Sequence, residues 1–212
     1  AAQFGGTDLI EAQWNPALLE DGVKKLCDAL YSDICPFLGT QRMPSFYQIL
    51  DSQSFMMGSN GYIQHPEVVG MAAEDYDYLI EKPLDCILER VLPRQCKSLR
   101  LDDPLQLALS LAKSIMAANN DNRVMGALTA KMTAQYGYYP GQPPAAGGFT
   151  AAPFDFIADQ LRGFKEISMD IRRMPEKLLE ACEAVFPIVL KKGMPSEPTQ
   201  YSAIGMPLHM PT

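Results

Sequence analysis

Two residues able to transfer protons stand near the ends of short apolar segments. Asp33 belongs to residues 31–34, and His209 follows residues 201–205. A carboxylate can act as a base or stabilise a positive charge, and an imidazole can donate a proton. These residue types make Asp33 and His209 the candidate catalytic residues.

A second group of aromatic and charged side chains lies at and after the apolar segment 146–149. Phe149 and Phe154 offer flat apolar surface, while Asp155 and Asp159 are acidic. Arg162 carries a guanidinium, a group suited to binding a carboxylate through paired hydrogen bonds. We expect these five residues to contact the substrate.

Purely structural roles remain open for three of these residues. Asp33 can cap or close a turn, because aspartate often bonds its own neighbouring backbone. Arg162 can pair with Asp159 or Glu166 on a helix surface, and His209 can be an ordinary loop residue.

The elements that position these side chains are organised around residues 147–187. Two glycines at the end of an apolar segment let the backbone approach a neighbour closely. Pro153 suits the first turn of a short helix, where backbone N–H groups lack partners within the helix. Pro175 opens a longer helix with an apolar stripe, and Gly193 supplies its stop. This order predicts one βα unit with an inserted helix.

Several other segments have clear local patterns. Asn15-Pro16 predicts a helix start, and residues 59–61 predict a hairpin turn. The leucine- and alanine-rich stretch from Asp103-Pro104 predicts a largely buried helix, with a break at residues 119–122. The aromatic loop 136–144 either plugs the core or packs against a flat ligand.

A series of motifs follows a fixed order along the chain: a glycine-rich strand end, then A-P-F, a helix ending in R-G, and the helix start D-x-x-R-x-P-E-K-L. These motifs resemble those of the uroporphyrinogen decarboxylase superfamily. Residues 32–34, 74–80 and 91–94 agree in order, and the similarity covers nearly the whole chain. The chain is most similar to the divergent decarboxylase-like branch, which is related to corrinoid methyltransferases.

The resemblance implies an α/β fold, the TIM (β/α)₈ barrel. Parallel strands would lie near residues 31–34, 146–149 and 201–205, with helices outside. A complete barrel takes about 250 residues, so we expect residues 1–212 to form a single barrel domain lacking its N-terminal and C-terminal parts. In such a barrel, chemistry lies at the carboxyl ends of the strands, so Asp33 and His209 would face one common cleft.

The resemblance also implies an activity: decarboxylation of a tetrapyrrole-type or related carboxylate substrate, with no metal or organic cofactor. Asp33 matches the catalytic Asp of the family, whereas Asp159 stands where the haem-pathway enzymes have a Tyr. One alternative is a corrinoid- or thiol-linked methyltransferase, whose zinc is held by an H-x-C pair. Met210 and Pro211 follow His209, so zinc or corrinoid would need residues outside this chain. The other alternative is a non-catalytic fragment or scaffold.

Composition limits the partners. A net charge of −7 and a pI near 4.8 argue against nucleic-acid binding, and no apolar run reaches the ~20 residues of a membrane span. The five cysteines are an odd number without a C-x-x-C pair, which is typical of reduced thiols in a cytoplasmic protein. We expect a small-molecule substrate. A second copy of this chain, or the rest of its own polypeptide, stays open as a further partner.

The sequence also contains a short acidic cluster. Glu74, Asp75 and Asp77 precede an apolar helical stripe. We interpret them as capping residues at a helix start, where the helix dipole favours carboxylates, and not as a metal site. No metal ligands are predicted in this chain.

Overall fold

The computed structural model describes residue 6 and residues 8–36, 44–139, 149–195, 197–198, 204–206 and 208. Contacts divide the chain into two units. Unit 1 comprises Ala1–His65 and Pro104–Gly141, and unit 2 comprises Pro66–Asp103 and Gln142–Thr212.

Unit 1 consists of helices and one hairpin. Its elements are α1 (Leu9–Trp14), α2 (Pro16–Ala29), α3 (Pro44–Ile49), β1 (Met56–Met57), β2 (Ile63–Gln64) and α7 (Pro104–Tyr136). The predicted start of α2 is confirmed, because the Asn15 side chain accepts hydrogen bonds from the backbone N–H groups of Ala17 and Leu18. The hairpin is confirmed as well, with Met57 opposite Ile63 in an antiparallel pair.

The core of unit 1 lies between α2 and α7. The buried side chains that form it come from these helices and from the segment after α2: Leu19, Val23, Cys27, Cys35, Met125, Leu128 and Met132. The segment after α2, residues 30–36, forms neither helix nor strand. It therefore depends on its contacts with the two helices for its position.

Helix α7 departs from two expectations. It runs without a break through residues 119–122, where Asp121 accepts a hydrogen bond from Ser45 and Asn120 accepts one from Arg123. Such contacts offset the modest helix penalty of asparagine and aspartate. Its first half is also not largely buried, since Leu105 and Met116 are each 71% exposed.

Unit 2 is built from short helical pieces and two longer helices. In chain order they are a 3₁₀ turn (Ala73–Asp75), α4 (Tyr76–Glu81), α5 (Pro83–Cys86), a π-helical turn (Ile87–Val91), α6 (Leu92–Gln95), α8 (Pro153–Asp155), a second π-helical segment (Phe156–Arg162), α9 (Phe164–Arg173) and α10 (Pro175–Gly193). The predicted helices beginning at Pro153 and Pro175 are confirmed. Their apolar faces pack around Tyr76, Leu79 and Ile157.

The prediction of a TIM barrel is wrong. The described residues contain one two-stranded antiparallel sheet and are otherwise mostly helical. Residues 31–34 are not a strand: the Ile34 N–H donates to the Ser32 hydroxyl at 3.3 Å, and Tyr31 is fully exposed. A barrel strand pairs with a strand on each side, and among the described residues no strand pairs with this segment.

The other two predicted strands lie partly outside the described residues, which include none of 146–148 or 201–203. In the part that is described, Phe149 and Gly205 form one isolated parallel bridge, and the Thr150 N–H donates to the Gly205 carbonyl at 2.9 Å. Among the described residues no helix combines the length and apolar character needed to cross a membrane.

Candidate functional site

A cavity of about 690 Å³ opens in unit 1. It is lined by residues 30–33, which follow α2, by residues 136–139 at the end of α7, and by Cys27 of α2. Four of these residues are tyrosines. We call this feature the tyrosine cavity. Its volume falls within the roughly 300–1,000 Å³ of small-molecule sites.

Local sequence explains why α7 ends here. Gly137 has φ +68°, a left-handed conformation that glycine adopts without steric cost and that terminates many helices. The chain therefore turns back, and the rings of Tyr136 and Tyr138 stack with centroids 5.7 Å apart. The Tyr139 N–H then donates to the Asp33 carbonyl at 2.7 Å, which joins the two lining segments.

Two of the cavity tyrosines are anchored to α2. The Tyr136 hydroxyl donates to the Asp28 carboxylate at 2.8 Å, and the Tyr138 hydroxyl donates to the Cys27 carbonyl at 3.4 Å. The hydrogen bond with Asp28 raises the pKa of Tyr136 to about 12, and burial raises the pKa of Tyr138 to about 12. Both phenols therefore stay neutral near pH 7. Burial also raises the pKa of the Cys27 thiol.

Asp33 supplies the acidic side chain among the lining residues. It is exposed at the cavity, while its backbone carbonyl holds Tyr139. A carboxylate accepts hydrogen bonds from N–H or O–H groups and stabilises positive charge. The arrangement thus suits a flat ligand that carries ring N–H donors, because tyrosine rings offer stacking surface beside the carboxylate.

The other predicted site residues do not join Asp33 in this cavity. His209 lies outside the described residues, so the pairing of Asp33 with His209 stays a prediction. Phe149, Phe154, Asp155, Asp159 and Arg162 all belong to unit 2. Phe149 is 66% exposed beside Gly205, and Phe154 packs against the core of unit 2.

Arg162 lies in the core of unit 2, where it is 3% exposed. Its Nε and Nη2 donate to the two carboxylate oxygens of Asp170, at 2.7 and 3.0 Å. Its Nη1 donates to the Met71 carbonyl at 2.7 Å, and the Tyr76 hydroxyl donates to Asp170 at 2.8 Å. Glu166, one of the two structural partners left open by the sequence, also pairs with Arg162, at 3.5 Å. The carboxylate partner of this guanidinium is thus provided chiefly by the protein itself.

The other two acidic residues predicted to contact the substrate are Asp155 and Asp159. Asp155 is 3% exposed, at the start of the second π-helical segment. Asp159 accepts a hydrogen bond from the Gln160 side chain at 2.6 Å. Binding of substrate by these residues stays a prediction.

The acidic cluster at residues 74–77 acts in part as predicted. The Asp75 carboxylate accepts from the Ala72 N–H at 2.8 Å, as a capping residue does, and it also pairs with Arg94. Asp77 pairs with Lys177 at 2.7 Å. Within the described part of the chain, no group of three or more His, Cys, Asp or Glu side chains is placed to hold a metal ion.

Sequence reasoning did not identify Cys27 as a cavity residue or Asp170 as the partner of Arg162. The run Y-G-Y-Y-P-G was the signal for the cavity. Aromatic rings that stay in water cost free energy, so several of them in one loop indicate that the loop packs against another surface. The D of the D-x-x-R-x-P motif is Asp170, and it was the signal for the buried pair.

When the chain is compared with known proteins, no family model, no curated protein and no solved structure matches it.

Proposed function

We propose that the protein is a uroporphyrinogen decarboxylase-like enzyme that binds a tetrapyrrole-type or related carboxylate substrate in the tyrosine cavity. One observation carries the proposal: Asp33, which the resemblance matches to the family's Asp, lies in a cavity of about 690 Å³ with four tyrosines. The proposal does not depend on a barrel.

The chemistry fits the side chains present. In a decarboxylation the C–C bond to the carboxylate breaks, CO₂ leaves, and the bonding electrons remain on carbon until a proton replaces the lost group. A positively charged ring accepts those electrons most readily. In this proposal Asp33 stabilises that positive charge through its carboxylate, and the tyrosine rings hold the flat substrate.

The residues of the cavity require no bound metal for this role, in keeping with the resemblance. A cytoplasmic location belongs to the same proposal. It is supported by the described cysteines, since none of Cys27, Cys35, Cys86, Cys96 and Cys182 forms a disulfide, and reduced thiols are the rule in that compartment.

Titration with uroporphyrin, a stable oxidised tetrapyrrole carboxylate, tests the binding step by the shift of its absorbance. We expect Asp33→Asn to weaken binding about tenfold or more, because a hydrogen bond to a charged group contributes about 1.5–3 kcal/mol. Asp21→Asn, an exposed aspartate on α2 outside the cavity, is the matched control. Failure of the unaltered protein to bind uroporphyrin would contradict the proposal.

Release of CO₂ from uroporphyrinogen tests the chemical step. Asp33→Asn should lower the rate about 10²-fold or more, the usual effect of removing one electrostatic stabiliser. The methyltransferase and scaffold alternatives stay predictions. Corrinoid absorbance in the purified protein would favour the methyltransferase, and the absence of any turnover with retained binding would favour the scaffold.

A further inference from the structure

A second cavity, of about 250 Å³, opens in unit 1. It is lined by residues of α3, of the loop that follows α3 and of the hairpin, and it shares no lining residue with the tyrosine cavity. We call it the hairpin pocket. Its volume lies just below the roughly 300–1,000 Å³ of drug-sized sites, so it suits a small ligand.

Two aromatic rings that line the hairpin pocket are held in place by further rings. The centroids of Tyr47 and Phe55 lie 4.9 Å apart, with their planes at 40°. Phe46 packs at a right angle against Tyr47 at 5.3 Å, and His65 stacks on Phe55 at 4.3 Å. Since the two lining rings are fixed before a ligand arrives, binding costs little of their conformational entropy.

Asp51 supplies the acidic side chain of the hairpin pocket, and it stands at a strained backbone position. Its φ of 48° lies in the left-handed region, where strained residues often belong to functional sites. In the same turn the Ser52 N–H donates to the Tyr47 carbonyl at 2.9 Å, and the Ser52 hydroxyl accepts from the Phe55 N–H at 3.1 Å. The turn therefore brings Asp51 and both rings to one pocket.

The charge of the hairpin pocket is negative. The Asp51 carboxylate accepts a hydrogen bond from the side-chain amide of Gln53 at 3.3 Å. Because an amide is neutral, this contact leaves the negative charge in place. Among the described residues that line the pocket, none is a lysine or an arginine. The pocket therefore favours a cation over an anion.

The lining also distinguishes between kinds of cation. The faces of aromatic rings attract a cation, and thioethers adapt to its shape. A primary ammonium carries three N–H donors that need acceptors, whereas Met56, Met57 and Ile63 make much of this lining apolar. A quaternary ammonium has no N–H group, so its methyl groups can pack against rings and thioethers without losing a hydrogen bond.

We propose that the hairpin pocket binds a quaternary ammonium group, such as the trimethylammonium head of choline, between the rings of Tyr47 and Phe55 and the carboxylate of Asp51. This site goes beyond the proposed function and does not depend on it, because the two cavities have no lining residue in common.

Ligand-detected NMR on the full chain tests the proposal without any substitution. Saturation of the aromatic protons of the protein passes to the N-methyl protons of a bound ligand, and a titration gives the Kd. We expect choline to bind about tenfold more tightly than 3,3-dimethyl-1-butanol, its neutral isostere with carbon in place of nitrogen. Ethanolamine, the primary-ammonium analogue, should also bind more weakly than choline. The proposal is overturned by the absence of saturable choline binding, or by an analogue that binds as tightly as choline.

Two variants locate the bound cation. Asp51→Asn removes the charge but keeps a residue type that adopts the left-handed backbone, and it should weaken choline binding about tenfold. Asp21→Asn, an exposed aspartate on α2, is its control. Phe55→Leu removes the ring face and should weaken binding about fivefold or more. Tyr62→Leu is its control, because Tyr62 is an exposed aromatic of the same hairpin and does not line the pocket.

Circular dichroism verifies that each variant keeps its helices. If Asp51→Asn and Phe55→Leu keep them and still bind choline as the unaltered protein does, the cation binds elsewhere and the proposal is wrong. A peptide that carries trimethyllysine presents the same head group. Tighter binding of choline than of this peptide supports a free small molecule as the source of the group, and tighter binding of the peptide supports a modified protein.

Discussion

Arg162 and Asp170 place opposite full charges in the core of unit 2, at 3% and 2% exposure. Burial of either charge alone would cost several kcal/mol. The pair is tolerated because two parallel hydrogen bonds join the guanidinium and the carboxylate, and because Met71 and Tyr76 supply a further acceptor and donor. The two residues therefore depend on each other.

Replacement of Arg162 tests this dependence. Arg162→Met keeps much of the side-chain volume but leaves the Asp170 charge buried without its partner, so we expect a loss of about 3–5 kcal/mol in the free energy of unfolding. Urea unfolding followed by helical circular dichroism measures it. Arg173→Met, an exposed arginine at the end of α9, is the control and should change stability little. A loss from Arg162→Met no larger than that of the control would show that the pair does not stabilise unit 2.

Tyr76 provides a finer test of the same network. Tyr76→Phe removes only the hydroxyl that donates to Asp170, and a hydrogen bond to a charged group contributes about 1.5–3 kcal/mol. We expect a loss of that size in the free energy of unfolding by the same method. Tyr78→Phe removes a hydroxyl bonded to Glu89 in an exposed setting and should cost less. If Tyr76→Phe and Tyr78→Phe lower the free energy of unfolding equally, the buried hydrogen bond to Asp170 does not stabilise the protein more than the exposed one to Glu89.

At the scale of elements, the π-helical segment Phe156–Arg162 organises unit 2. Carbonyls at the end of a helix lack partners within it, and here they are satisfied by distant residues. The Leu161 carbonyl accepts from the N–H groups of Gly70 and Met71, and the Gln160 carbonyl accepts from the Gln95 side chain at 2.7 Å. The segment ends at Gly163, which has φ +81°.

Gly163 therefore holds a conformation that other residues adopt at a cost. Gly163→Ala should lower the free energy of unfolding by about 1–3 kcal/mol, because of backbone strain and because the new Cβ would lie 3.1 Å from Glu67 Oε1. Gly126→Ala is the matched control: its Cβ meets open space within α7, and we expect it to stabilise by about 0.5–1 kcal/mol. Urea unfolding of both variants checks the opposite signs. Two changes of the same sign would show that backbone conformation does not decide the outcome.

At the scale of the whole molecule, two carboxylates with lowered pKa values make the free energy of unfolding depend on pH in the acidic range. Hydrogen bonds with Lys131 and Lys24 lower the pKa of Glu20 from 4.5 to about 2. Burial opposes ionisation of Asp75, but hydrogen bonds from Arg94 and the Ala72 N–H outweigh it and hold the pKa of Asp75 below 3.8. Glu20 belongs to unit 1 and Asp75 to unit 2, so both units contain such a group.

We expect unit 1 to lose stability as the pH falls from about 4.5 to about 2. The Glu20 contribution is fully present above the unfolded-state pKa and is lost as protonation proceeds through the folded-state value. Urea midpoints measured by fluorescence of Trp14, the single tryptophan, report on unit 1. Glu20→Gln should flatten the pH dependence, and high salt should weaken it in the unaltered protein because the ion pairs are exposed. Glu183→Gln, in unit 2, should leave it unchanged; a flat profile without any substitution would refute the linkage.

The sequence predicted individual residues of the candidate site but not that they come together in one cavity. Asp33 and the aromatic loop were both identified, since residue type and a nearby glycine turn are visible in the chain itself. Their meeting in one cavity was not predicted, because it depends on how α2 packs against α7. Residues 31–34 were interpreted as a strand, and only their surroundings show that no strand among the described residues pairs with them.

By itself the sequence determined the starts of the helices at Pro16, Pro153 and Pro175 and the hairpin turn at residues 59–61. These features depend on side chains a few residues apart, so the free energies that decide them are local. Tertiary structure alone decided that the described chain is mostly helical, that α7 continues through residues 119–122, and that Arg162 pairs with Asp170. Strand pairing and charge burial depend on groups distant in sequence, and their energies exist only once the chain has packed.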